Sequence, residues 1–296
     1  MQIHRFSTTS LVEAHFAPSA HIQEVIMPQQ PGCFPFMPIP SRPPKPRSRG
    51  ITIMTDRGLP YRVAEDTMEV IGEAVDLVKH NDHSGVISRY SSEWFAKKFD
   101  LYRRHDILSF PGGIPFELAV LQGQVEPFFA RLKEVGFDLV EVSEDVIPPL
   151  PKDERDAIIR KAMAAGLQVI TEVGRKVPDK PIELDVAVSL AMNDLELGVK
   201  KVTLEHSELR LLQQSDPDIL LSLVNKVGLE HLIFEPNPGG WPWLHTWLIQ
   251  TLGPEVNMGN IYPEELLIVD AMRRGMTRAV NYTFLTENAG QMAPGQ

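Results

Sequence analysis

The chain is predicted to fold as a (β/α)8 TIM barrel with a proline-rich N-terminal extension. Three observations predict it: eight short apolar segments recur along the 296 residues, their starts lie about 24 to 35 residues apart, and helical patterns follow most of them. That spacing is the size of one strand–helix unit, and eight units close a barrel. The predicted strands span residues 51–56, 75–79, 107–113, 139–144, 167–172, 202–205, 232–235 and 256–260.

Helical patterns with sound boundaries separate these strands. Acidic residues follow Lys152 in the first turn of one pattern, which suits the helix dipole. Gly136, Gly166 and Gly198 stand where a helix should end before the next strand. The predicted helices span residues 61–72, 94–104, 116–135, 152–165, 185–197, 216–227, 241–252 and 263–275.

The barrel is predicted to span residues 49–285, between an arm (1–48) and a flexible tail (286–296). Eight prolines stand between Pro28 and Pro46, a density that forbids helix and favours extended backbone. Two interpretations of the arm stay open. It is either a segment over the bottom of the barrel or a disordered leader, or else an arm that forms a dimer.

Composition excludes several classes of function. The net charge of −10 argues against nucleic-acid binding, and no apolar run is long enough to cross a membrane. The single cysteine, Cys33, excludes an internal disulfide and a cysteine-cluster metal site. We therefore expect a cytoplasmic protein that acts on a small molecule, and by analogy with other barrels a homo-oligomer.

Charged residues stand at, or just past, the C-terminal ends of the predicted strands, where a barrel carries its active site. Several carboxylates at one mouth favour a hard divalent cation, so Mg²⁺ is the expected cofactor. The alternative is that each acid pairs with a local lysine or arginine and only closes a loop. The ring comprises Asp56, Lys79, Glu141, Glu172, Lys176, Glu205 and Glu235, with Glu141, Glu205 and Glu235 as expected metal ligands.

Lys176 lies in a segment that turns after the fifth predicted strand. Gly174 allows a sharp turn that presents Arg175 and Lys176 to the mouth. A lysine near a metal binds an anion or acts as a general acid. The alternative is a solvated loop lysine.

Histidines and tryptophans supply two further groups of candidates. His80 and His83, in the polar segment 79–84, and His206, directly after Glu205, are candidate acid–base or substrate-binding groups. A plain exposed loop is the alternative for the segment. The tryptophans at positions 241, 243 and 247 either roof an apolar pocket or pack in the core or an interface.

A set of short motifs runs in order from Lys45 to Arg278. The motifs are Lys45-Pro-Arg47, Gly50-Ile-Thr52, Asp56-Arg-Gly-Leu-Pro60, Val78-Lys79, Phe110-Pro-Gly-Gly113, Phe116-Glu117, Gly136-Phe137, Val140-Glu-Val-Ser143, Thr171-Glu-Val-Gly-Arg-Lys176, Glu205, Ile233-Phe-Glu-Pro236, Val256-Asn257, Asn260-Ile261 and Arg273-Arg-Gly275. In this combination and order they resemble the phosphosulfolactate synthase family. Members of that family add sulfite to phosphoenolpyruvate on the route to coenzyme M.

The resemblance implies a Mg²⁺-dependent lyase that stabilises an enolate-type intermediate. It makes Lys176 the proton donor to the carbon beside the carboxylate. Glu141, Glu172 and Glu205 become metal ligands or neighbours of the ligands, while Asp56 and Lys79 shape the mouth. The predicted catalytic set is Lys176, Glu172, Asp56, Lys79 and His206.

Two segments depart from the family pattern. A Phe-Gly-Trp-Gly-Thr-Ser type segment is replaced by His80-Asn-Asp-His-Ser-Gly85, and Glu-Gly-Arg-Glu by Glu205-His-Ser-Glu208. A serine cannot supply the charge of an arginine that would hold a phosphate or sulfonate. The substrate therefore lacks the phosphate, or Arg175 or Arg210 supplies the charge. The predicted substrate-binding residues are His80, His83, Arg175, Ser207 and Asn257.

Three hypotheses of function follow. The first is a phosphosulfolactate-synthase-like lyase with enolate chemistry on a small carboxylate or carbonyl substrate other than the family's own. The second is an isomerase or cyclase of specialised metabolism that uses the histidines as acid–base groups. The third is a non-catalytic, stress-related member of the family.

Overall fold

The structure, a computed structural model, describes residues 32–37 and 39–289 and confirms the barrel. Eight parallel strands run in the order β3-β2-β1-β8-β7-β6-β5-β4. The ring is joined between β3 and β4, where the Asp138 backbone N–H donates to the Ser109 carbonyl at 3.0 Å. The strands are β1 Thr52–Asp56, β2 Leu77–His80, β3 Leu108–Pro111, β4 Leu139–Val142, β5 Gln168–Val173, β6 Lys201–Leu204, β7 Leu232–Phe234 and β8 Met258–Ile261.

Helices cover the outside of the barrel and differ from the prediction in four places. The predicted helix over 116–135 is two helices, because Gly123 at φ +64° interrupts the helical backbone between them. Three further helices, at His83–Ser88, His206–Ser215 and Thr283–Asn288, lie in segments where none was predicted. The helices are α1 Tyr61–Ile71, α2 His83–Ser88, α3 Ser92–Arg103, α4 Gly113–Leu121, α5 Val125–Val135, α6 Lys152–Ala164, α7 Leu184–Leu197, α8 His206–Ser215, α9 Asp218–Val227, α10 Trp243–Leu252, α11 Leu266–Arg273 and α12 Thr283–Asn288.

Alternation along the strands divides the barrel into two layers of core. One residue in two points into the barrel, where Ile53, Leu77, Phe110, Ile170 and Ile233 pack together. The residues between them point outward and pack against the helices. Continuing the inward alternation toward the C-terminal ends of the strands places the charged side chains directly above the apolar layer.

The described part of the arm lies across the bottom of the barrel, at the N-terminal ends of the strands. Arg47 pairs with Asp76 at 2.8 Å, just before β2. The ammonium of Lys45 donates to the Gly72 and His105 carbonyls at 2.9 and 2.6 Å. Residues 1–31 and 38 of the arm, and 290–296 of the tail, lie outside the described residues. The predicted start of the tail at residue 286 falls inside α12. Among the described residues, no helix is long and apolar enough to cross a membrane.

Candidate active site

Lys79 is the centre of a buried ion cluster inside the mouth of the barrel. Its ammonium lies 2.9 Å from Glu141 Oε2 and 2.9 Å from Glu235 Oε1. These three residues extend the inward rows of β2, β4 and β7, so strand alternation alone brings them together. Burial opposes the charge of Lys79, but the two carboxylates outweigh it and raise its pKa well above the usual value. Lys79 is therefore a fixed cation.

Lys176 forms a second ion cluster at the outer edge of the mouth. Its ammonium lies 2.6 Å from Asp145 Oδ2 and 3.7 Å from Glu205 Oε1. Its side chain is 36% exposed, whereas those of Asp145 and Glu205 are buried. Burial opposes its charge, yet Glu172 and Asp145 raise its pKa above the usual value. Lys176 is thus a partly accessible cation that faces the mouth from a loop.

Glu172 lies between the two clusters, and its carboxylate is buried. Neither of its carboxylate oxygens accepts a hydrogen bond from a fixed donor. Burial opposes its ionisation, but the ammonium groups of Lys79 and Lys176 hold its pKa below the usual value. The neighbouring carboxyl groups of Asp145 and Glu235 lower it further through side-chain hydrogen bonds.

Carboxylates outnumber ammonium groups in the mouth. Burial, with repulsion from Glu172, raises the pKa of Asp145 to about 9. Burial also raises the pKa of Glu235 to about 8, although Lys79 opposes this. Without a further cation the mouth therefore holds protons on some of its acids near neutral pH. The carboxylates are Glu141, Asp145, Glu172, Glu205 and Glu235, and the ammonium groups are Lys79 and Lys176.

The donor atoms of the mouth suit a hard divalent cation in their chemistry. Both oxygens of Glu172 and Oδ1 of Asp145 are buried and lack a partner, and Mg²⁺ prefers such oxygens. The predicted ligands Glu141 and Glu235 are instead held by Lys79, and Glu205 accepts from the Ser207 N–H. As arranged, no three histidine, cysteine or acidic side chains among the described residues could hold a metal ion together.

Two of the predicted histidines, His83 and His206, lie at the edge of the mouth. His83, the first residue of α2, approaches Gly112 so closely that a Cβ there would lie 2.7 Å from its ring. Its Nδ1 is buried without a partner, and burial, with the charge of Lys79, lowers its pKa to about 4. His206 sits at the start of α8, with Nδ1 3.2 Å from the Glu235 carbonyl. Both rings are neutral at physiological pH.

Asp56 and His80 end their strands on the outward side and do not face the mouth. Asp56 accepts from the Tyr102 hydroxyl at 2.6 Å and pairs with Lys98 at 2.8 Å. His80 lies in a cage of five aromatic side chains, and burial lowers its pKa to about 4. Alternation is the reason, since each is the neighbour of an inward residue. The structure thus separates these two predicted site residues from Lys79 and Lys176.

Asn257, Arg175 and Ser207 also take places that the sequence did not indicate. Asn257 precedes β8 at the bottom of the barrel, where its side-chain oxygen accepts from the Ile51 N–H at 3.0 Å. The Arg175 guanidinium donates to two loop carbonyls and not into the mouth. The Ser207 hydroxyl donates to the Lys176 carbonyl at 2.7 Å. Asn257 is at the wrong end of the barrel to bind a substrate at the mouth.

Asp145 is a site residue that sequence reasoning missed. It stands beyond the end of β4, where alternation no longer applies. Its neighbour Glu144 does not join the mouth but pairs with Arg155 at 2.8 Å. Asn260 was also missed; its side-chain amide donates to Glu235 Oε2. The signal for Asn260 was its place at the end of β8.

The tryptophans do not roof the mouth, and an apolar cavity lies elsewhere among the described residues. Trp241 packs against His245 at 4.9 Å between ring centroids, while Trp243 is 75% exposed. A groove of about 610 Å³ opens on the outside, between α2, α3, α4 and α5, and is lined by apolar residues such as Phe95, Phe128 and Phe137. None of the predicted site residues lines this groove.

Fold and site together define a TIM-barrel enzyme scaffold whose mouth carries lysines embedded in carboxylates. The profile of the (2R)-phospho-3-sulfolactate synthase family matches residues 40–278, and the chain belongs to this family. The phosphosulfolactate synthase of Methanothermobacter thermautotrophicus is 31% identical over 246 residues, which cover 80% of this chain and 93% of that protein. The Methanocaldococcus jannaschii enzyme is 31% identical, with coverage of 77% and 92%. The Bacillus subtilis enzyme is 28% identical, with coverage of 80% and 94%.

Proposed function

We propose that the protein is a phosphosulfolactate-synthase-like lyase that stabilises an enolate at the barrel mouth and acts on a small unsaturated carboxylate or carbonyl substrate. The observation that carries the proposal is the Lys176–Asp145 pair beside the unpartnered carboxylate of Glu172. Membership of a family of synthases supports it. A homo-oligomer in the cytoplasm remains the expected setting.

Lys176 has the position and charge of a proton donor to the substrate. When a nucleophile adds to an unsaturated carboxylate, its lone pair forms the new bond and the double-bond electrons move toward the carboxylate. The carbon beside the carboxylate then takes a proton from Nζ of Lys176. A carbanion is a much stronger base than an amine, so the raised pKa of Lys176 does not prevent the transfer. Asp145 and Glu205 favour the return of a proton to Nζ.

Mg²⁺, when bound, would supply a Lewis acid for the enolate oxygens. The carboxylates of Glu172 and Asp145 would hold it, because both oxygens of Glu172 and Oδ1 of Asp145 are buried and accept no hydrogen bond from a fixed donor. Lys79 has a separate role, since it keeps Glu141 and Glu235 in place from below. The histidine His83 lies where its neutral ring can donate or accept a hydrogen bond with a substrate above Lys79.

The substrate we propose lacks a phosphate. Ser207 stands where the family pattern has an arginine, and its hydroxyl is bound to a backbone carbonyl. Arg175 does not replace that arginine, because its guanidinium binds the Glu144 and Ile147 carbonyls at 3.1 and 2.8 Å. Arg210, the other candidate, is an exposed residue of α8. A phosphate dianion would therefore enter a mouth that is already rich in carboxylates.

The test mixes the protein with Mg²⁺, sulfite and either phosphoenolpyruvate or unphosphorylated unsaturated acids, and follows adducts by mass spectrometry. We expect adducts with unphosphorylated acids, and Lys176→Ala should lower their rate by about 100- to 10,000-fold. Lys180→Ala is the matched control, because Lys180 lies on the same loop with a 76% exposed side chain paired to Glu183. Equal rates for the two variants would refute the role of Lys176.

The outcome also separates the competing hypotheses. An adduct with phosphoenolpyruvate alone would restore the family's own reaction and refute the substrate we propose. Binding of neither Mg²⁺ nor any acid, measured by titration calorimetry, would favour the metal-independent isomerase or the non-catalytic member of the family.

A further inference from the structure

Glu117 is a buried carboxylate that binds a loop and not a cation. Its Oε1 accepts from the Ser143 hydroxyl at 2.6 Å and the Asp145 N–H at 2.9 Å. Its Oε2 accepts from the backbone N–H groups of Val146 and Ile147, both at 3.0 Å. Consecutive N–H groups that converge on one anion form a stable concave site. Here the anion is supplied from within the chain, by a side chain of α4.

Glu208 repeats this arrangement one strand further along. It lies on α8 and accepts from the backbone N–H groups of Arg175, at 3.3 Å, and Ile182, at 2.8 Å. These N–H groups belong to the loop that joins β5 to α7. Gly174 leaves room for the contact, since a Cβ there would lie 2.4 Å from Glu208 Cγ.

Arg175 ties the two loops to each other. Its Nη1 donates to the carbonyls of Glu144 and Ile147, at the two sides of the turn that Glu117 holds. A backbone bond from the Lys176 N–H to the Asp145 carbonyl, at 3.3 Å, completes the link. The paired loops carry Asp145 and Lys176, whose side chains form the accessible ion pair of the mouth.

We propose that Glu117 and Glu208 are positioning residues that hold the Asp145–Lys176 ion pair, with Arg175 as the bridge between their loops. Neither carboxylate reaches the ion pair itself, so each acts through the backbone that it binds. A loop that carries a reacting group is more mobile than a strand unless its N–H groups are bound. Helices α4 and α8 thus give loop residues the precision of the scaffold.

The first test reads the geometry of the loop without any substrate. In the full chain, hydrogen exchange is followed at the amides of residues 145–147, and acetic anhydride labelling is compared between Lys176 and Lys180. Glu117→Gln should raise exchange at these amides about tenfold, the equivalent of one hydrogen bond. The ratio of labelling of Lys176 to Lys180 should rise about threefold as the ion pair loosens.

Two further variants keep this test decisive. Glu126→Gln, at an exposed glutamate of α5 paired with Lys161, should change neither reading. If Glu117→Gln does not fold, Ser143→Ala removes one of the four bonds and should shift both readings in the same direction. A folded variant of Glu117 or Ser143 with unchanged exchange and unchanged labelling would overturn the proposal.

The second test uses activity and rests on the proposed function. Glu117→Gln and Glu208→Gln should each lower kcat by about 10- to 100-fold and leave KM nearly unchanged, because a displaced ion pair impairs the reaction more than binding. A loss confined to KM would contradict a positioning role. If the wild-type protein forms no adduct, the proposed function fails. The exchange and labelling measurements still decide whether Glu117 positions the loop.

Discussion

Replacement of His80 by phenylalanine should change how the stability of the barrel depends on pH. His80 is buried among the rings of Trp94, Phe95, Phe99, Tyr102 and Phe137, and its Nε2 has no partner. A neutral ring suits this cage, and phenylalanine preserves the aromatic contacts without a group that takes up a proton.

The magnitude follows from the pKa of His80. Burial lowers it from 6.5 to about 4, since the attraction of Asp56, 3.8 Å away, is partly cancelled by Lys98. That difference corresponds to about 3 kcal/mol at 1.36 kcal/mol for each pKa unit. Because the folded pKa is the lower one, this stability is fully present above pH 6.5 and is lost as the pH falls toward 4. Between pH 7.5 and 5 the loss should reach about 2 kcal/mol.

Urea unfolding of both proteins at pH 7.5, 6 and 5 measures the effect. The free energy of unfolding of His80→Phe should fall about 2 kcal/mol less over this range than that of the wild type. The absolute stability of the variant does not affect the test, because the quantity compared is the slope of the free energy of unfolding against pH. The comparison variant is His231→Gln, at a ring 34% exposed beside Glu230. Burial lowers the pKa of His231 as well, but less than that of His80, so this variant should weaken the pH dependence by a smaller amount. Equal slopes for wild type and His80→Phe would refute the assignment of a buried neutral imidazole.

Two further changes probe the mouth and its support. Lys79→Met removes the cation between Glu141 and Glu235 and should lower the free energy of unfolding by about 3–5 kcal/mol at pH 8. The loss of stability should be smaller at pH 5, because the protonated carboxyl groups no longer repel each other. A loss of stability in urea unfolding that does not depend on pH would contradict this. Gly113→Ala places a Cβ 2.1 Å from Ser143 Oγ and should cost about 1–3 kcal/mol. Thermal unfolding of Gly113→Ala, Ser143→Gly and the double variant measures this. The double variant should be destabilised by less than the sum of the two single variants. An additive loss of stability would show that the strain does not arise from the contact with Ser143.

The contacts of Glu117 with the loop after β4 account for a buried acid in the motif Phe116-Glu117. Gly113 lets α4 approach β4 so closely that Glu117, one turn further on, reaches the loop after that strand. The glycine and the glutamate therefore serve one contact. A sequence pattern alone shows them as a turn signal and an ordinary helical acid.

The sequence by itself determined the barrel and the four charged residues of the mouth that stand on strands. Strand spacing predicted eight units, and Lys79, Glu141, Glu172 and Glu235 fell at strand ends. Each stands an even number of residues after an inward apolar residue, so the period of two fixes its direction once the strand is placed. The same rule, applied strictly, would have turned Asp56 and His80 outward.

Only the tertiary structure decided where the loop residues around the mouth lie. Asp145, Arg175 and Ser207 stand beyond strand ends, where the backbone has no period and side-chain direction depends on contacts with other loops. Asn257 was also misplaced, although it stands near the start of the predicted strand 256–260, which is the end away from the mouth; β8 begins at Met258 and leaves Asn257 at the bottom of the barrel. Local spacing can place a residue on a strand, but the partner of a loop residue is chosen by chain segments that are distant in sequence, as Glu117 is from Asp145 and Glu208 is from Arg175.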